Sequence, residues 1–247
     1  VQLTERVYLV GSGSNGLSIS HRADCNVYLI DGGNELALVD AGVGEDTACI
    51  LNNVREHGFD PTDVHKLLLT HIHADHAGGA AELRAMLPSL TVMASKNVAL
   101  SLEEGDEEAV SLDLAKRAGF YAPDYVFRPC PVGTKLQEGD EILIGDLKAA
   151  VFESPGHSAG DLSFLVEING RSHLFAGDAV FHNGRILLQS TWDCDLQQLI
   201  TSLRKLNQLP VDVFLPGHQC FSLQNGGEHI QRAVDVLDRC LIPNNLL

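Results

Sequence analysis

Basic residues are scarce in this chain: 17 Lys and Arg stand against 33 Asp and Glu, leaving a formal net charge of −16 and a pI near 4.9. A field of that sign repels phosphate backbones, which argues against a nucleic-acid partner and leaves a small molecule as the expected one. Long apolar runs are lacking as well. No segment approaches the roughly 18 uninterrupted apolar residues of a membrane helix, so no membrane association is expected. Val1 to Val10 lacks the basic-then-apolar order of a signal peptide, although a first residue other than Met leaves a removed leader open. The cysteines (Cys25, Cys49, Cys130, Cys194, Cys220, Cys240) include no C-x-x-C pair, which suits reduced core thiols better than a disulfide framework. These absences together point to a cytoplasmic protein. Neither a low-complexity linker nor a motif repeat divides the 247 residues, a length at the upper end of one domain. A single domain over 1–247 is therefore expected, and a homodimer is compatible with it.

What is present is a concentration of metal-capable side chains. Thr70-His71-Ile72-His73-Ala74-Asp75-His76 follows the apolar run Leu67-Leu68-Leu69 directly. Imidazole and carboxylate are ligands that zinc and other first-row metals accept, and burying so many together without a metal would leave polar groups unpaired. In extended chain, side chains repeat every two residues, so His71 and His73 point to one side while Asp75 and His76 open the next helix. One short loop can thus feed two adjacent metals.

Three more candidates share that setting: His157 in Pro155-Gly156-His157, Asp178 after Gly177, and His218 in Pro216-Gly217-His218. Each stands just past an apolar, strand-like run (149–152, 173–176 and 211–215), as His71 stands past 67–69. Side chains at the same ends of neighbouring strands can converge on one point. The adjoining glycines remove a Cβ and permit sharp turns close to a metal.

In this order and spacing the residues resemble the metallo-β-lactamase-fold superfamily, and within it the glyoxalase II-like and lactonase-like dinuclear hydrolases. The resemblance runs from the Asn26-to-Asp40 hairpin to the helix after His218. It implies an α/β four-layer αβ/βα sandwich with two divalent metal ions at one edge, zinc foremost, with iron or manganese as alternatives. It implies His71, His73 and His157 on the first metal, Asp75, His76 and His218 on the second, and Asp178 bridging. The activity implied is hydrolysis of a small ester, lactone or thioester by a metal-bridging hydroxide, with Asp75 serving first as ligand and then as catalytic proton shuttle. Rival activities on the same scaffold are a mononuclear iron oxidoreductase of the persulfide dioxygenase type, a phosphodiesterase, and an idle binding protein.

Departures from the family patterns narrow the choice. Phe181-His182-Asn183-Gly184-Arg185 lacks the Cys of the glyoxalase II element, and the chain ends soon after His218 without a glutathione-binding helical domain. True glyoxalase II is disfavoured on both counts. Phe181 stands where the lactonases place a Tyr. Antibiotic-hydrolysing β-lactamases generally lack the bridging Asp, so Asp178 argues against that activity.

The coarse reading of elements gives strands at 6–10, 27–30, 35–39, 66–70, 91–95, 162–168, 172–176 and 211–215. Helices are expected at 46–57, 77–87, 196–209 and 228–240. Asn169-Gly170 is the favoured type I′ hairpin dipeptide. The irregular segment 96–136 is a lid candidate. Its aromatics Tyr121 and Tyr125, together with Phe181 and with His182 four residues after Asp178, are the candidates for substrate contact.

Overall fold

In the computed structural model, which describes residues 1–246, the first strands are apolar at nearly every position because they are buried on both faces. β1 (Val7–Gly11), β2 (Val27–Asp31), β3 (Leu36–Val39), β4 (Val64–Leu68), β5 (Thr91–Ser95) and β6 (Thr134–Leu136) form a six-stranded sheet in sequence order. β1 to β3 are antiparallel, whereas β3, β4, β5 and β6 run parallel. The C-terminal ends of β3 and β4 therefore open at the same edge.

This sheet belongs to the first of two compact units, comprising Val1–Leu136 and Ile144–Asp146. Helix α1 (Thr47–Glu56) starts where the Asp46 carboxylate accepts the Cys49 N–H, and it buries Ile50, Leu51 and Val54 in the core. The single helix expected at 77–87 is two: α2 (Ala74–Ala77) and α3 (Ala80–Met86). The break falls at Gly78-Gly79, where the Gly79 N–H donates to the Gly42 carbonyl, 2.9 Å away, outside the helix. A Cβ on Gly79 would stand 2.2 Å from the Ala41 carbonyl oxygen. The loop after β3 thus requires glycine here. The segment 96–136 contains α4 (Ala99–Glu104), α5 (Leu112–Arg117) and β6.

The second unit comprises Gln137–Leu143 and residues 147–246. Its sheet contains β7 (Glu141–Ile144), β8 (Leu147–Glu153), β9 (Leu162–Ile168), β10 (Arg171–Gly177) and β11 (Val213–Pro216) in the order β11-β10-β9-β8-β7. β8 and β10 are both antiparallel to β9, and β11 is parallel to β10. The C-terminal ends of β8, β10 and β11 consequently share one edge. Asn169 and Gly170 turn the β9–β10 hairpin with φ of 52° and 72°, as a type I′ turn needs. α6 (Leu196–Leu206) and α7 (Gly227–Asp238) pack Leu199, Leu203, Leu206, Ile230, Ala233 and Val234 into one cluster with Leu174 and Phe214. Among the described residues, no helix is long and apolar enough to cross a membrane.

Candidate metal centre

In the first unit the donor cluster is built around Asp40. The residue directly follows β3 and is in the left-handed region, φ 64°, a conformation that Asp tolerates better than most side chains. Its own N–H donates to the Leu68 carbonyl at 2.9 Å, which ties it to the end of β4. Its Oδ1 accepts the Thr70 N–H at 2.8 Å and its Oδ2 accepts the Thr70 hydroxyl at 2.9 Å. Asp40 Oδ2 also accepts Nδ1–H of His76 at 2.8 Å. With its own proton committed to Asp40, the Thr70 oxygen accepts Nδ1–H of His71 at 3.1 Å.

These partners place a proton of His71 and of His76 on Nδ1, so that in the neutral ring Nε2 is the nitrogen that would face a metal. The rings are close together. His71 lies 4.8 Å from His73 and 4.0 Å from His76 between centroids. His71, His73, His76 and Asp40 are all buried. Asp75 and His76 fall in the four-residue α2, as their position after an extended loop led one to expect.

Asp75 is more open than the histidines, and its Oδ2 is 3.7 Å from Nε2 of His76. The Tyr121 hydroxyl donates to Asp75 Oδ1 at 3.0 Å. Burial, and then the Asp75 charge, hold the Tyr121 phenol well above its ordinary pKa, so it remains a donor. Tyr125 stacks on Tyr121 at 5.2 Å, is itself buried, and donates its hydroxyl to the Val43 carbonyl at 2.8 Å. Burial pushes the nearby Cys25 thiol up to about 12, which keeps it neutral and un-nucleophilic.

In the second unit the three ligand candidates follow the C-terminal ends of β8, β10 and β11. Gly217 N–H donates to the Gly177 carbonyl at 2.7 Å, locking the last two ends together. Asp178 Oδ2 lies 3.7 Å from Nε2 of His157 and 3.5 Å from Nε2 of His218. His157, Asp178 and His218 are buried. His157 donates Nδ1–H to the Leu187 carbonyl at 3.2 Å, again leaving Nε2 for a metal. Gly156, with φ 142°, is where the chain turns into His157, and a Cβ there would meet the Leu199 nitrogen at 2.3 Å. Below His157, Asp161 accepts the Ser158 N–H at 2.7 Å, and burial raises its carboxyl to about 6.

The donor chemistry fits a divalent first-row metal in both units: imidazoles whose Nε2 faces the cluster, carboxylates beside them, and an outer partner on Nδ1 of His71, His76 and His157. Phe181 is fully buried, with its ring 6.3 Å from that of His218. His182 packs against His229 with ring centroids 4.4 Å apart and planes tilted by 40°, in a turn held to α7 by the Asn183 N–H donating to His229 Nδ1 at 3.0 Å. Asp40 escaped the sequence reading, although it bears the same mark as the ligands, a polar residue just past an apolar strand.

Comparison with known proteins agrees with this architecture. The fold is that of the metallo-β-lactamases: native FEZ-1 metallo-beta-lactamase from Legionella gormanii superposes with a TM-score of 0.74 at 18% identity, covering 97% of this chain and 94% of that one. The family model of the metallo-beta-lactamase superfamily matches residues 22–218, and the chain belongs to that superfamily. Among curated relatives, the hydroxyacylglutathione hydrolase of Erwinia tasmaniensis is 29% identical over 197 residues, 80% of this chain and 62% of that protein. The acyl-coenzyme A thioesterase MBLAC2 of Gallus gallus is 28% identical over 213 residues, 78% of this chain and 72% of that protein. The chain thus spans about three-fifths of the length of the hydroxyacylglutathione hydrolase.

Proposed function

We propose that the chain is a metal-dependent hydrolase of an acyl thioester, or of a related small ester or lactone. The observation that carries this reading is the set of anchored imidazoles: His71, His76 and His157 each have Nδ1 committed to a fixed acceptor. In the proposed assignment His71, His73 and His157 would hold one divalent ion, Asp75, His76 and His218 would hold a second, and Asp178 would be shared. Zinc suits these donors best. A divalent metal held there would supply Lewis acidity, lowering the pKa of water from 15.7 to about 7 and polarising an acyl carbonyl.

The protein's own part is orientation and proton handling. Asp40 and the Leu187 carbonyl fix ring angle and tautomer, while Tyr121 holds Oδ1 of Asp75 and so determines which way its other oxygen faces. In the proposed reaction the Asp75 carboxylate would take the proton that the attacking water gives up and pass it to the departing thiolate or alkoxide. Thioesters are favoured within the acyl class because the similar proteins include a hydroxyacylglutathione hydrolase and an acyl-coenzyme A thioesterase. The acidic chain, with its net charge of −16, favours a small acyl substrate over a nucleic acid.

The test is a panel of a glutathione thioester, an acyl-CoA, an aryl ester and a lactone, offered to zinc-replete protein with and without a chelator. Hydrolysis of a thioester that disappears on chelation is the expected result. Oxygen uptake with a persulfide, and no turnover anywhere in the panel, would overturn the reading in favour of the iron oxidoreductase.

A further inference from the structure

Asn244 to Leu246 lie beyond the residues 22–218 that the family model matches, yet they pair with the stretch that carries Leu187. Ile186 N–H donates to the Asn244 carbonyl at 3.0 Å, and Leu246 N–H donates to the Ile186 carbonyl at 2.8 Å, forming a parallel bridge between Ile186 and Asn245. The Asn245 side chain then grips Leu188 at both of its backbone groups. Leu188 N–H donates to Asn245 Oδ1 at 3.2 Å, and Asn245 Nδ2 donates to the Leu188 carbonyl at 3.0 Å. Arg185 adds Nη2 donation to the carbonyls of Asn245 and Leu246 at 3.3 and 3.0 Å.

Leu187 sits between the two gripped residues. Carbonyls alternate in direction along extended chain, so fixing Ile186 and Leu188 on the tail side aims the Leu187 carbonyl the opposite way. There it accepts Nδ1–H of His157 at 3.2 Å. Asn245 itself is exposed, so water competes for each of its bonds. A single amide that makes two bonds to one residue holds its geometry where separate contacts would be exchanged for water.

We propose that Asn245 is a positioning residue for the metal centre, acting through the Leu187 carbonyl on the tautomer and orientation of His157. The proposal rests on the reading of His157 as a metal ligand. Without an acceptor at Nδ1, an imidazole distributes its proton over both nitrogens, and only the Nδ1–H form offers Nε2 to a metal. The partner of a ligating histidine is a lever on affinity of about 10–100-fold.

The experiment uses the full chain and compares Asn245→Ala and Asn245→Asp with His157→Ala. Two readouts are taken: zinc affinity by competition with a chromophoric chelator, and the imidazole nitrogen–proton spectrum of the metal-free protein, with His157 assigned by its loss in His157→Ala. The expected result is one zinc weakened by up to about 10-fold in Asn245→Ala, the low end of what loss of a direct partner does because the Leu187 carbonyl itself remains, together with a shift of His157 away from pure Nδ1–H. Asn245→Asp keeps the acceptor for Leu188 and is expected to fall between Asn245→Ala and wild type. It also carries the test if the alanine variant does not fold. Wild-type affinity and tautomer in both folded Asn245 variants, while His157→Ala loses a zinc, would overturn this proposal alone. Wild-type zinc binding in His157→Ala would overturn the ligand reading and the proposal with it.

Discussion

A single buried carboxylate, Asp40, does more to organise the first donor cluster than any ligand in it. It accepts from the Thr70 amide, the Thr70 hydroxyl and His76 Nδ1, and through Thr70 it reaches His71. Asp40→Asn keeps the volume but replaces one acceptor oxygen by a donor, so either His76 or Thr70 faces an NH2 group. Loss of about 1–3 kcal/mol of stability is expected, along with zinc affinity about 10–100-fold weaker. Denaturant unfolding of the metal-free variant and chelator competition on the folded one would check both. Unchanged zinc affinity would show that ring orientation does not depend on Asp40. The candidate ligands were legible in the sequence because they crowd together or stand beside glycine after an apolar run. Asp40 was not, because one Asp at a strand end looks like an ordinary turn residue until its partners are known. The hydroxyl of Tyr121 was hidden for a similar reason: its partner Asp75 is 46 positions away.

At the scale of elements, the sheet edges position the chemistry, and glycines set how closely helices approach them. Gly156 is the clearest case. Its φ of 142° and the proximity of Leu199 in α6 leave no room for a Cβ immediately before His157. The Gly156 carbonyl also accepts the N–H of Asp195, whose carboxylate caps α6. Gly156→Ala is therefore expected to cost about 3 kcal/mol or more, from backbone strain together with displacement of α6. A urea midpoint within error of wild type would contradict this packing.

The elements themselves were largely readable. The β2–β3 and β9–β10 hairpins, α1 and α7 fall close to the ranges the sequence suggests, since each combines an apolar pattern with local turn or cap chemistry. The differences arise from tertiary bonds. β4 ends at Leu68, short of the expected Thr70, because the Thr70 amide turns to the Asp40 carboxylate. α6 ends at Leu206, ahead of Pro210, in tight turns whose N–H groups reach back three or four residues. β6 gave no signal because a three-residue strand paired only to β5 has too little sequence to show a period.

At the scale of the whole molecule, membership of the metallo-β-lactamase superfamily gives the scaffold, and the chain's own residues decide the chemistry. An anion between two cations is the natural centre of such a site, and Asp178 is the residue assigned to it. Two divalent ions about 4 Å apart repel by on the order of 17 kcal/mol at an effective dielectric near 20, so negative charge between them is a requirement. Asp178→Asn removes that charge while nearly preserving shape. The most direct measurement is metal content and thioester turnover on the same purified Asp178→Asn sample, beside wild type. The account expects two zinc ions per wild-type chain, and a folded variant with one zinc or fewer and most of its turnover gone. A folded Asp178→Asn protein that retains two tightly bound metals and hydrolyses its best substrate at the wild-type rate would contradict the dinuclear account.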